Sequence, residues 1–379
     1  MHMPGSEAEI VDAVRDAVAS GGRLTIVGGG SKTGVGRAVD APLLSLAGLA
    51  GVIDYDPAEL VLTARPGTPL DAVQRLVAGE RQMLAFEPFD HGPLFGRTAG
   101  AATIGGVVAA GVAGSRRVSA GGARDHMLGL RAISGRGEAF VGGAKVVKNV
   151  TGYDLPKLAA GSWGRLFAIT ELTLKVLPRP ETSLTQVIAG LDPRQATAAM
   201  ARAMGSQCEV AAAGHRPAIA GREALTAIRL EGVAPSVAAR AAMARALLGD
   251  AGTVDTLDEA TANAFWCDLR TLAPLGETRD LWRINVPPSG GAAVIAALAP
   301  AGADWLMDWA GGLVWLALDG NETLIRRATE AVGGHAMLLR SKARSDVPAF
   351  HPPVPGLAAL ETRVRRAFDP AGVFETGRF

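Results

Sequence analysis

Five glycines, Gly100, Gly105, Gly106, Gly111 and Gly114, fall within fifteen positions. That density is too high for an ordinary helix or strand, because glycine loses more backbone freedom on ordering than any other residue. It requires the main chain to run where side chains would collide. A large flat ligand lying against the backbone imposes that requirement, and so does a set of tight turns between strands; glycine count alone leaves both open. The surrounding stretch, residues 100–178, also contains Gly142-Gly143-Ala144-Lys145-Val146-Val147-Lys148-Asn149-Val150-Thr151-Gly152-Tyr153-Asp154-Leu155 and Gly161-Ser162-Trp163-Gly164. It closes on an expected strand at 169–176, where Leu172, Leu174 and Val176 alternate with Glu171, Thr173 and Lys175.

A chain of 379 residues exceeds one ordinary core, so two domains are expected. A net charge of +1 offers no basis for binding nucleic acid or an acidic membrane surface. No run approaches the ~18 apolar residues that span a bilayer, and the start of the chain lacks a signal pattern. The expected location is therefore cytoplasmic, with at most peripheral membrane attachment. Cys208 and Cys267 are too few for a disulfide framework or a cluster and read as buried small hydrophobes. The histidines His2, His91, His126, His215, His335 and His351 show no ligand spacing, so no metal is expected.

In chain order, Ser6-Glu7-Ala8-Glu9 reads as a capping box opening a helix with Ile10, Val14 and Val18 on one face and Gly21-Gly22 as the stop. A short strand at 24–27 enters Gly28-Gly29-Gly30-Ser31-Lys32-Thr33-Gly34-Val35-Gly36. Consecutive backbone N–H groups in such a loop can form an anion-binding nest. The Walker pattern fails because Val35 follows Gly34, and the dinucleotide pattern fails because Thr33 holds the third glycine's place. Pyrophosphate binding and a plain surface loop remain open here. Strands at 52–55 and 60–64 read as a pair. Thr68-Pro69-Leu70-Asp71 opens a helix with Leu70, Val73, Leu76 and Val77 on one face and proline at its first position.

Leu177-Pro178-Arg179-Pro180 marks a domain boundary, and beyond it the texture changes. Strand-like pieces at 184–189, 225–230, 281–286 and 313–318 alternate with helical pieces at 193–204, 235–248, 258–269, 292–298 and 322–332. That mixture suits an α+β domain with an antiparallel sheet. Trp305, Trp309 and Trp315 read as core and interface aromatics. A helix at 357–368 leads into a turn-rich tail, Phe368 to Phe379, whose order must come from docking on something.

The loop at 28–36, the Gly105-Gly106 pair, Gly111-Val112-Ala113-Gly114-Ser115-Arg116-Arg117, Lys148 to Leu155, Gly161-Ser162-Trp163-Gly164 with Ile169-Thr170-Glu171, and the tail together resemble the FAD-linked oxidases of the vanillyl-alcohol oxidase type. Within that superfamily the resemblance is to the FAD-binding E subunits of bacterial glycolate oxidases. It covers about the N-terminal half and the last thirty residues; residues 185–340 carry little of it. It implies an α+β protein. A PCMH-type FAD-binding domain at 1–180, with subdomains at about 1–65 and 66–180, would be followed by an α+β cap at 181–340. A C-terminal helix and tail at 341–379 would dock back on the FAD domain. Val27, Gly28, Gly29, Gly30, Ser31 and Lys32 would meet the pyrophosphate through main-chain donors. Thr103, Ile104, Gly105, Gly106, Ala110 and Gly111 would pass the ribityl chain and flavin. Gly161, Ser162, Gly164 and Ile169 would lie on the adenine side, with Arg378 contributing from the tail. Tyr153-Asp154 divides evenly between a structural and a cofactor-facing role, the tyrosine being read as buried. Ser31 and Lys32 stand where some members carry a flavin-linked histidine, so non-covalent FAD is expected; His91 is the remaining candidate for attachment.

The implied function is that of an FAD-binding subunit of a glycolate oxidase (glycolate dehydrogenase) complex. It would take part in oxidation of glycolate, or another small 2-hydroxy acid, to glyoxylate. Electrons would pass through a second FAD-binding oxidase subunit and an iron–sulfur subunit. Larger relatives cluster histidines in the cap, whereas His215 and His335 stand apart. An FAD-holding assembly or electron-relay subunit without its own turnover is therefore the alternative, with a free-standing FAD-dependent 2-hydroxyacid or alcohol oxidoreductase behind it. Catalytic residues are not assigned. Arg116, Arg117, Arg340 and Arg378 are candidate carboxylate or phosphate partners.

Overall fold

A computed structural model describes residues 1–143, 153–219, 221–341 and 347–379. The chain divides into two compact units. Unit 1 comprises residues 1–113, 121–179 and 352–379; unit 2 comprises residues 114–120 and 180–351.

Unit 1 opens with α1 (Glu7–Ser20), in which the Ser6 side chain accepts from the Glu9 N–H and Gly21 ends the helix in the left-handed region at φ 67°. The Glu9 carboxylate takes the Gly5 N–H at 2.9 Å, so the capping box is shifted by one residue. Its buried face is Ile10, Val14 and Ala17, and Val18 is exposed. Eight residues overshoot two turns of 3.6, while seven nearly close them. Strand β1 (Thr25–Val27) pairs in parallel with β2 (Leu43–Ser45). Next come β3 (Val52–Asp56), β4 (Val61–Ala64) and α2 (Leu70–Gly79). In α2, Leu70, Val73 and Val77 are buried, Leu76 is exposed, and Pro69 sits at the cap rather than inside the first turn.

The glycine-dense stretch does contain a helix, α3 (Ile104–Ala110), contrary to the expectation from its composition. Thr103 caps it, Gly111 closes it at φ 63°, and a Cβ on Gly105 would sit 2.5 Å from the Pro66 Cβ. Part of the glycine density therefore serves chain-on-chain packing. Strands β5 (Met127–Ser134), β6 (Ala139–Gly143) and β7 (Phe167–Lys175) complete an antiparallel sheet of order β3-β4-β7-β5-β6. On β7, Leu172 and Leu174 are fully buried, and Thr173 bonds the Thr63 hydroxyl at 3.0 Å. The C-terminal helix Pro355–Phe368 ends in a tail ordered by Asp369, whose carboxylate accepts from the Val373 and Phe374 N–H groups at 2.9 and 2.7 Å. Val373 and Phe374 then pack with Ile10 and Val14.

Unit 2 is built on one eight-stranded antiparallel sheet. In chain order it contains β8 (Thr182–Ala189), α4 (Pro193–Met204), β9 (Val210–Arg216), β10 (Leu225–Gly232), α5 (Ala234–Leu248), β11 (Val254–Thr256), α6 (Glu259–Thr271), β12 (Leu281–Asn285), α7 (Gly291–Leu298), β13 (Asp304–Asp308), β14 (Leu313–Ala317), α8 (Glu322–Glu330) and β15 (His335–Arg340). The sheet order is β11-β8-β10-β9-β13-β14-β12-β15. Its core joins Ile228, Leu230, Trp282, Ile284, Val314 and Leu316 to Met200, Val237, Ile295 and Ile325 of the helices. Trp305, Trp309 and Trp315 are buried, as read from the sequence. Cys208 is buried, but Cys267 is partly exposed.

Candidate functional site

In unit 1 the chain leaves β1 directly into the loop of Gly28 to Lys32. Gly28 and Gly29 approach the 101–103 segment so closely that a methyl on Gly29 would collide with the Ala101 carbonyl oxygen, and one on Gly28 with the Thr103 hydroxyl. Gly30 has φ 76°, which favours glycine. The loop is closed by Thr33 N–H donating to the Gly30 carbonyl and Val35 N–H to that of Lys32. It is pinned from the tail: the Arg378 guanidinium donates to the Val35 carbonyl at 2.8 Å and to the Lys32 carbonyl at 2.7 Å.

The N–H groups of Gly29, Gly30, Ser31 and Lys32 donate to no protein acceptor among the described residues. Those opening α3 are taken within the protein, Ile104 by the Thr68 carbonyl, Gly105 by that of Pro66 and Gly106 by the Thr103 hydroxyl. The two glycine segments thus differ in chemistry. The first is a row of open donors, and the second is a closed surface.

Beside the open donors, Ser31 and Lys32 are buried, with the Lys32 ammonium 3.4 Å from the Ser31 hydroxyl. Desolvation pushes the Lys32 ammonium down to about 8, against a smaller opposing attraction from Asp90. These groups line one cleft with Ile26, Val27, Gly28, Gly29, Gly30, Thr33, Leu46, Pro66, Thr103, Gly105, Gly106, Ala109, Ala110, Ser162, Trp163, Gly164, Phe167, Ile169 and Arg378. The 161–164 turn is held to α3 by the Gly161 N–H on the Val108 carbonyl and the Trp163 N–H on that of Ala109. Trp163 at φ 55° and Gly164 at φ 72° fold it back toward Ile26. Desolvation pushes the Arg378 guanidinium down to about 10.

Of the residues named from the sequence, Ile104, Gly111 and Gly161 lie outside the cleft wall: Ile104 is in the core, Gly111 caps α3, and Gly161 forms the turn. Ile26, Thr33, Leu46, Pro66, Ala109, Trp163 and Phe167 join the wall without having been assigned to the site. Pro66 had a signal in the Pro66-Gly67-Thr68 turn. His91 is buried edge-on to Phe89 and does not line the cleft. Tyr153 is 88% exposed rather than buried, and Asp154 caps a short helix beside Lys157 at 2.7 Å. Residues 144–152, with Lys148-Asn149-Val150-Thr151-Gly152, lie outside the described residues. In unit 2 Arg116 is paired with Glu231 at 2.6 Å, and Arg340 donates to the carbonyls of Arg279 and Gly276.

Residues 2–143 match the family described as FAD binding domain. The fold is shared with an alkyldihydroxyacetonephosphate synthase, at a TM-score of 0.66 and 14% identity over 98% of this chain and 74% of that one. Together they define an α+β, PCMH-type flavoprotein whose cofactor is FAD. The glycolate oxidase subunit GlcE of Escherichia coli (strain K12) is 35% identical over 97% of this chain and 96% of its own length. A D-2-hydroxyglutarate dehydrogenase of Xanthomonas citri pv. viticola is 33% identical over 49% of this chain, which spans 38% of that longer protein. The chain belongs to the family of the glycolate oxidase subunit GlcE. The cleft fits the cofactor: four open N–H groups beside a buried ammonium suit a diphosphate, and Leu46, Pro66, Phe167 and Ile169 offer apolar walls for flat rings.

Proposed function

We propose that unit 1 holds FAD non-covalently in this cleft, and that the chain takes part in oxidising glycolate, or another small 2-hydroxy acid, as one subunit of a complex. In that reading the N–H groups of Gly29 to Lys32 receive the diphosphate, and the Lys32 ammonium offsets one of its charges. Arg378 fixes the loop through two backbone carbonyls rather than through the ligand. Thr103, Gly105, Gly106 and Ala110 would form one wall against the cofactor, and Ser162, Gly164 and Ile169 another. Bound flavin supplies acceptance of the two electrons that leave the alcohol carbon. A second FAD-binding oxidase subunit and an iron–sulfur subunit would carry the electrons onward. Among the described residues no helix is long and apolar enough to cross a membrane; attachment to one would run through those partners.

The observation that carries this reading is the row of open backbone donors next to a buried, desolvated lysine. Purified chain should show flavin absorbance that acid precipitation releases into the supernatant. Anaerobic glycolate bleaching that absorbance would place turnover on this chain. Flavin that stays oxidised would assign it to assembly or relay. A colourless chain that takes up no added FAD would refute the cofactor site.

A further inference from the structure

Unit 2 has a cleft whose lining residues all belong to that unit. It is lined by Arg117, Arg283, Asn285, Trp309 and His335, with Val286 and Pro288 among its apolar walls. On β12, Trp282 and Ile284 enter the core, so Arg283 and Asn285 take the opposite face of the sheet. His335 stands directly across from Asn285 on β15. Both arginines lie over the Trp309 ring, Arg117 at 4.2 Å and Arg283 at 5.3 Å from its centroid.

The buried arginines of this unit are matched by carboxylates. Arg116 and Arg229 share Glu231 at 2.6 and 3.1 Å, Arg216 reaches Asp268 at 3.3 Å, and Arg326 reaches Glu322 at 2.8 Å. Arg117 and Arg283 form no ion pair among the described residues, and the charge of Arg117 adds to the burden on the half-buried Arg283. Desolvation, then Arg117, pushes the Arg283 guanidinium down to about 10. Desolvation, then the charges of Arg283 and His351, pushes the His335 imidazole down as well. A cation–π contact offsets only part of such a burden.

The turn that presents Trp309 is itself strained. Trp309, Ala310 and Gly311 run at φ 53°, 55° and 102°, a left-handed conformation that a bulky aromatic adopts only when its surroundings enforce it. The enforcing group is the buried Asp308 carboxylate, which accepts from the Trp309 N–H and from the Ser115 hydroxyl at 2.7 Å each. The Trp309 indole N–H donates to the Gly114 carbonyl at 3.0 Å, so the same turn fixes the segment that carries Arg117.

We propose that this cleft binds a small carboxylate between Arg117 and Arg283, with Asn285 and His335 placed to bond a neighbouring hydroxyl or carbonyl oxygen. A planar carboxylate matches the two-pronged guanidinium donor set, and the apolar wall limits the size of what it carries. That the carboxylate is a 2-hydroxy acid or its 2-oxo product rests on the function proposed above; that the cleft takes a carboxylate does not.

The test is calorimetric titration of the full chain with glycolate, glyoxylate and inorganic phosphate at fixed ionic strength, with flavin content measured in parallel. Glycolate or glyoxylate should bind saturably, and Arg283→Gln should weaken binding about 10-fold or more, with Arg283→Lys losing less. Arg117→Gln changes an exposed side chain and keeps the test valid should Arg283→Gln misfold; it should weaken binding by about threefold or more. Wild-type affinity in a folded variant of either arginine, phosphate binding tighter than both carboxylates, or no saturable carboxylate binding would overturn the proposal. A flavin-free chain that still binds glycolate through Arg283 would support it while removing the function proposed for unit 1.

Discussion

The two clefts would recognise negative charge by opposite means. Unit 1 presents main-chain N–H groups from a loop of glycines, with one buried lysine, and its selectivity lies in the absence of side chains. Unit 2 presents two arginines on an aromatic ring from a sheet face, and its selectivity lies in the side chains themselves. A backbone site is therefore disabled by adding a single carbon, and a side-chain site by removing a charge. Sensitivity to small insertions should map to the first cleft, and sensitivity to truncation to the second.

The largest effect that sharpens this contrast is expected from Gly29→Ala. Its new methyl would meet the Ala101 carbonyl oxygen, a backbone atom that cannot rotate away. Overpacking of this kind costs about 3 kcal/mol, so thermal unfolding should shift by several degrees and flavin should be lost. A Gly29→Ala chain with wild-type melting and full flavin would break the account of the loop. The counterpart in unit 2 is Asp308→Ala, which strips the acceptor from Trp309 N–H and Ser115. Losing hydrogen bonds to a buried charge costs about 2–3 kcal/mol. Differential scanning calorimetry should show that loss, while flavin content at saturating FAD stays at the wild-type level.

Next in size is Lys32. Desolvation holds its ammonium near 8 before any anion arrives. A bound diphosphate favours the charged form, so binding takes up a proton wherever the free lysine has lost it. Affinity for FAD should thus be full below about pH 8 and fall as pH rises past it. Fluorescence titration between pH 7 and pH 9 should show a several-fold weakening, absent in Lys32→Met, whose affinity at pH 7 is lower by about 10-fold. The sign for stability is the reverse. The unfolded chain holds this proton more tightly than the folded one, so without ligand Lys32 costs stability below about pH 8, and that cost fades as pH rises toward the ordinary lysine range.

Much of this was readable from sequence where one local interaction decides the outcome. Ser6 and Gly21 bound α1, and Pro193 begins α4, because caps and proline act within a turn. The loop of Gly28 to Lys32 lines the cleft for the same reason. Other features depend on partners far along the chain. Val210-Ala211-Ala212-Ala213 has no strand signature, yet it is a central strand buried on both faces, because its neighbours in the sheet decide its conformation. His335–Arg340 and Asp304–Asp308 are likewise strands by pairing. Pairing also brings Arg283, Asn285 and His335 to one place, and a tertiary turn adds Trp309. Spacing along the chain could not have joined them.

The smallest expected stability change is the most telling about the glycines. Gly105 and Gly106 are adjacent in α3 and indistinguishable in sequence. A Cβ on Gly105 would press on Pro66 at 2.5 Å from its Cβ and 2.8 Å from its Cα, so that glycine serves packing. Both glycines line the cleft, but a Cβ on Gly106 would meet only the Thr103 hydroxyl, at 3.2 Å. Alanine is favoured over glycine inside a helix by about 1 kcal/mol, and the slight crowding of the cap offsets part of that gain. Gly106→Ala should therefore melt within about 0.5 kcal/mol of wild type or slightly above it. Its methyl would nonetheless project into the wall proposed to lie against the flavin, so FAD affinity should fall with the fold intact. A Gly106→Ala chain that keeps both its stability and its flavin affinity would mean that this residue is spared a side chain for no reason connected with the ligand. The wall of the site would then have to be redrawn along Gly28 to Lys32 and the 162–164 turn alone.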